Sequence, residues 1–191
     1  MTIAIMACAL SATAAQPSTN ACDVLSQKDV AAVQGESYAE RKLSTTTEGA
    51  VRISQCFYRL PTFSKSLSVT VMRDAVGSAR GATIAWWNAR FASTEPSEER
   101  DEGKSARTES RGREEGNESG HGPVRVDGIG DQAIWTGNRL MGELDVLDHG
   151  AVVRVSVGGA GDVEQRIAKS KRLAAIMLKR LRGELAVIGD R

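Results

Sequence analysis

Cys22 and Cys56 constrain this chain more than any other feature, because a bond between them would staple its opening helix to its first core strand. They follow an apolar leader, residues 1–15, in which Ala12-Thr-Ala14 has the small-residue spacing of a signal peptidase site. Cleavage after Ala14 or Ala15 is expected, and residues 1–15 are read as a signal peptide. A secretory signal normally opens on Lys or Arg, whereas the first basic residue here is Lys28, so a start codon upstream is one alternative. In an extended leader, Cys8 after Ile5-Met6-Ala7 would loosely match a lipoprotein processing site and give a lipid-anchored alternative. Loss of the leader removes Cys8 and leaves one pair of cysteines in an oxidising compartment, where a disulfide is the default. The alternative is two buried thiols acting as small apolar side chains. Zinc fits poorly, since the two cysteines and the only histidines, His121 and His149, lack close ligand spacing.

About 175 of the 191 residues remain after processing, enough for a real core, and residues 16–191 are read as a single domain. A formal net charge of +1 points to no nucleic acid, and 4% aromatic content leaves few stacking platforms for bases. No segment approaches the roughly 20 apolar residues of a membrane-spanning helix.

Ser26 and Asp29 have capping-box spacing, Val30 and Val33 share a helical face, and Gly35 is a natural stop, which predicts a short first helix. After a polar, Thr-rich stretch, residues 51–60 alternate as a strand. Val51, Ile53 and Phe57 share one face, and Cys56 and Tyr58 the other. Leu67, Val69 and Val71 mark a second strand, antiparallel to the first. Residues 75–92 have apolar spacing closer to a helix, with Gly77 and Gly81 weakening its start. Adjacent Trp86 and Trp87 would point about 100° apart on it, one into the core and one at its edge. Packing is the favoured reading, and a ligand groove lined by Trp86 or Trp87 together with Trp135 is the other.

Composition then shifts. Residues 94–122 hold nine acidic and five basic residues and almost nothing large and apolar, so they are read as a flexible charged insertion within the domain. Glu98, Glu99, Asp101 and Glu102 lack EF-hand spacing. Gly128-Ile-Gly130 lacks the third glycine of a dinucleotide loop and reads as a turn into a strand, so no cofactor is expected. Leu140, Leu144 and Val146 form one strand face, Asp148-His149-Gly150 a turn, and Val153, Val155 and Val157 the returning strand. His149 is read as an exposed turn residue.

A terminal helix is the clearest element, with Asp162 as its cap and Val163, Ile167, Ala174, Met177, Leu178 and Leu181 as its core stripe. Through Arg182 its other faces carry Arg166, Lys169, Lys171, Arg172, Lys179, Arg180 and Arg182 against Glu164. Arg166, Lys169, Arg172, Lys179 and Arg180 are candidates for binding an anionic partner. A solvated face is the simpler reading.

The whole order predicts an α+β fold, a mainly antiparallel sheet covered by helices. Cys22-Asp-Val-Leu-Ser-Gln-Lys-Asp-Val30 with Gly35, Gln55-Cys-Phe-Tyr58, and Gly128-Ile-Gly-Asp-Gln-Ala133 resemble the small exported domains of unknown function best known as actinobacterial envelope lipoproteins. The resemblance implies that the two cysteines pair and that the fold is an α/β sandwich like that of PsbP and Mog1 proteins. It supplies no catalytic residues. Neither histidine has a nucleophile elbow nearby, and nothing singles out a pair among the 24 carboxylates. The expectation is therefore a non-catalytic periplasmic or secreted protein that binds an envelope component, whether protein, lipid or polyanion. A small apolar-ligand carrier and an undetected hydrolase are the alternatives.

Overall fold

The computed structural model describes residues 20–92, 121–138 and 141–189. The expected leader, Cys8, Leu140 and residues 93–120 of the acidic segment lie outside the described residues. Seven strands form one sheet: β1 (Glu40–Glu48), β2 (Val51–Arg59), β3 (Leu67–Asp74), β4 (His121–Arg125), β5 (Gln132–Gly137), β6 (Gly142–Asp148) and β7 (Ala151–Val157). Their order is β1-β2-β3-β7-β6-β5-β4, and every neighbouring pair is antiparallel. Helices α1 (Gln27–Gln34) and α3 (Val163–Gly189) pack on one face, and α2 (Ala82–Phe91) on the other. This is the expected α+β fold. None of the described helices is long and apolar enough to cross a membrane.

Period-two alternation decides which side chains meet on each face. Cys56 and Tyr58, Val69 and Val71, Val153 and Val155, Leu144 and Val146, and Trp135 all turn toward α1 and α3. Leu173, Ala174, Met177, Leu178 and Leu181 of α3 close that core, each large side chain adding about 1.5–3 kcal/mol by burial. Val163 and Ile167 lie only partly buried at its margin, while Leu173 joins the stripe unanticipated. Gly142 has no room for a Cβ, which would run into the Trp135 ring.

Cys22 and Cys56 are bonded, with Cα atoms 5.0 Å apart. The bond fixes the segment ahead of α1 against β2, where the Tyr58 hydroxyl lies 3.2 and 3.1 Å from the carbonyls of Ala21 and Cys22. Burial pushes the Tyr58 hydroxyl's pKa up, consistent with a structural hydrogen bond donor. The capping box is present: Asp29 accepts from the Ser26 amide at 2.8 Å and Gly35 ends α1 at φ 81°.

Three elements differ from the sequence reading. The Thr-rich stretch is strand β1, exposed along all nine residues, which is why no apolar alternation announced it. Helix α2 starts only at Ala82, since Gly77 and Gly81 adopt positive φ and leave Val76 exposed in the preceding turn. His121 and Gly122 belong to β4 and not to the insertion.

Asp148 and Ala151 flank a two-residue turn in which His149 and Gly150 have φ 47° and 75°, the geometry of a type I′ hairpin. Arg182 from α3 grips nearly buried Asp148 with both Nε (2.9 Å) and Nη2 (2.6 Å). That contact holds the Asp148 carboxyl below the usual range. Because its folded pKa is depressed, Asp148 contributes stability above the ordinary aspartate pKa of about 3.9 and loses it as pH falls through the folded value. Asp148→Asn should therefore lower the urea midpoint at pH 7, and the gap to the parent should narrow steadily below pH of about 4. A gap independent of pH would refute this.

Candidate ligand-binding cleft

The α2 face of the sheet is divided into an apolar part and a charged part. Val51, Met72, Leu147 and Val152 form the apolar part beneath Trp87 and Phe91, and Ile134 extends it into the next row. One row further along the strands, Gln55, Thr70, Arg154, Asp145 and Ile134 stand side by side across β2, β3, β7, β6 and β5. Asp145 is fully buried and pairs with Arg154 Nε at 2.7 Å. Burial raises its pKa, and the Arg154 ion pair only partly offsets this. Glu143 accepts from Arg90 at 2.9 Å, and the guanidinium groups of Arg90 and Arg154 each lie 5.7 Å from the Trp86 ring.

Helix α2 rests across this division because its side chains point three ways. Thr83, Trp87 and Phe91 follow the four-residue spacing of one buried face. Trp86 and Arg90 form the flank over the ion pairs, and Asn88 the opposite flank. The helix N-terminus is capped from a distance. Its N-cap, Gly81, has no side chain, and Asp74 at the end of β3 accepts from Gly81 N at 2.6 Å and from Thr83 N and Oγ1 at 2.8 Å each.

Between α2 and β4–β5 opens a cleft of about 370 Å³, within the range of small-molecule sites. Trp87, Phe91 and Ile134, all buried, back its apolar wall, and Asn88, Arg125 and Gln132 supply its polar groups. Trp87 Nε1 donates to Gln132 Oε1 at 2.9 Å, so the buried indole is satisfied and the Gln132 amide is held in place. The described lining has no carboxylate, imidazole, thiol or hydroxyl side chain. Its described polar groups are two side-chain amides and one guanidinium.

The structure distributes the candidate residues as follows. Trp87 is buried and Trp86 lies at the edge, as adjacent positions on a helix require. Trp135 is on the opposite face, fully buried under the α3 layer, and does not share a cleft with either. The basic candidates of α3 do not form one free surface. Arg166 is 4% exposed and donates to the Gly161 carbonyl. Arg180 bonds the Val24 carbonyl and Asp29, both at 2.6 Å, and Arg172 reaches the Ala32 carbonyl at 3.3 Å. Lys169 is half-buried and Lys179 exposed. These arginines tie α3 to its neighbours, a role that charge counting could not distinguish from partner binding.

Asp131, Asp148 and His149 bring potential metal-ligand atoms within 4.8 Å of one another. Arg182 already engages both Asp148 oxygens, and Asp131 accepts from the His149 amide at 2.8 Å. The cluster is accounted for as the clamp on the hairpin.

Arg125 and Gln132 escaped sequence reading because they flank a turn more than 30 residues downstream of α2. Only the Trp86-Trp87 pair hinted at the site. Comparisons with family models, with curated proteins and with solved structures find no match to the chain. What defines the protein is thus its own architecture, an α+β domain with a disulfide-anchored N-terminal segment and a cleft beside α2.

Proposed function

We propose that this is an exported, non-catalytic binding protein that holds a small, largely apolar ligand in the cleft between α2 and β5. The observation that carries the reading is the cleft itself, with Trp87, Phe91 and Ile134 on its wall and polar groups alongside. Export is supported by the Cys22–Cys56 bond, which is compatible with a periplasmic or extracellular setting, and by the resemblance to envelope domains. Partner capture by the α3 arginines has less support, because Arg172 and Arg180 are engaged within the fold.

The test is a titration with a panel of membrane lipids and small metabolites, followed through intrinsic tryptophan emission. At least one member should give a saturable shift, since Trp87 lies in the wall. Asn88→Phe, which places a ring in the cleft from an exposed helix position, should abolish that shift. If no compound gives a saturable response, or the response survives Asn88→Phe, the reading is wrong.

A further inference from the structure

We infer that the cleft selects small amphipathic anions, molecules with an apolar ring or short chain and one carboxylate, sulfonate or phosphate group. This rests on the cleft being a binding site and adds the class of its ligand. Arg125 is the one charged residue among the described residues lining the cleft. No ion-pair partner contacts it among the described residues. Among the described arginines, Arg41, Arg59, Arg90, Arg154, Arg180 and Arg182 are each paired with a carboxylate; Arg52, Arg80 and Arg125 are not, and of these three Arg125 alone lines the cleft. Beside it the wall is apolar, formed by Trp87, Phe91 and Ile134, and the Gln132 amide oxygen is committed to the Trp87 indole. That commitment leaves the Gln132 NH₂ as the amide's remaining group, a second donor suited to an anion.

A guanidinium bordering an apolar wall favours a ligand that buries its apolar part and keeps its charge at the cation. An anion of this kind gains a charge-assisted hydrogen bond that a neutral ligand of the same shape lacks. A cationic ligand would instead face Arg125 with no carboxylate in the described lining to compensate.

The experiment uses two fluorescent probes with the same rings, 1-anilinonaphthalene-8-sulfonate and uncharged N-phenyl-1-naphthylamine. They are titrated into the full chain, Arg125→Gln, Arg125→Lys and Asn88→Phe. The sulfonate should bind about tenfold more tightly than the amine. Arg125→Gln should bring the two affinities together, Arg125→Lys should retain most of the preference, and Asn88→Phe should weaken both probes. Equal affinities in the parent protein, or a preference that persists in Arg125→Gln, would overturn the inference while leaving the binding site intact. Binding of both probes that is insensitive to Asn88→Phe would overturn the site and the inference together. Sulfonate binding seen only after deletion of residues 94–118 would also overturn it, since the chain's own carboxylates would then be the occupant.

Discussion

Replacing both Cys22 and Cys56 with Ala is expected to destabilise the protein by about 3–4 kcal/mol, because the cross-link closes a loop of 34 residues. The loop contains α1, β1 and the first part of β2, so its constraint falls on the exposed edge of the sheet and the helix ahead of it. Strand β1 is exposed throughout, and the region ahead of it is held in the core by Ala21, Cys22, Val24, Leu25, Val30 and Val33, with Tyr38 packed at its margin. Urea denaturation of the oxidised parent, the reduced parent and Cys22→Ala/Cys56→Ala would measure the loss. Reduction should reproduce most of the effect of the double substitution. If all three midpoints agree, the two sulfurs act only as packed apolar groups and the staple contributes nothing.

The second large effect is expected at Trp87. Trp87→Ala should cost about 3–5 kcal/mol, the range for truncating a buried aromatic side chain. The indole is 1% exposed, packs on Phe91 at a ring separation of 4.6 Å and bonds Gln132. Its loss would leave α2 without its main apolar contact and the Gln132 carbonyl without its donor. Trp86→Ala should cost under about 1.5 kcal/mol, because Trp86 is only partly buried and its cation–π contacts are of the weaker, partly solvated kind. Thermal or urea unfolding of the two variants provides the comparison. Equal losses would contradict the division of α2 into a core face and a flank.

Much of this architecture is legible in the chain, wherever burial imposes a period. Val51 to Tyr58, Leu67 to Val71 and Val153 to Val157 alternate because one or both of their faces meet a helix. Ser26, Asp29 and Gly35 mark α1 because helix ends demand donors, acceptors and a positive φ at fixed offsets. Strand β1 is silent because Glu40, Arg41, Lys42 and Glu48 face water, and charges of that kind also discourage another chain from pairing with an open edge. Its Thr45-Thr46-Thr47 run was the remaining signal, through β-branched preference. The cleft is largely illegible for a different reason. Trp87, Arg125 and Gln132 meet because two strand ladders and a helix converge, and no local spacing encodes that meeting. Likewise Arg180 reads as surface charge until Val24 and Asp29 are found beside it.

The order of the sheet also says how an occupant of the proposed cleft would couple to folding. Strands β1, β2 and β3 form one meander and β4 to β7 another, joined in the sheet by the β3–β7 ladder alone. Trp87 and Phe91 belong to the first part of the chain, and Arg125, Gln132 and Ile134 to the second. An occupant of the cleft would therefore join segments distant in sequence and disfavour any opening that lifts α2 from β4 and β5. Occupancy at a hundred times the dissociation constant would add about 2.7 kcal/mol to global stability. The same linkage would slow amide exchange in α2, β4 and β5, whose pairing the occupant would hold closed.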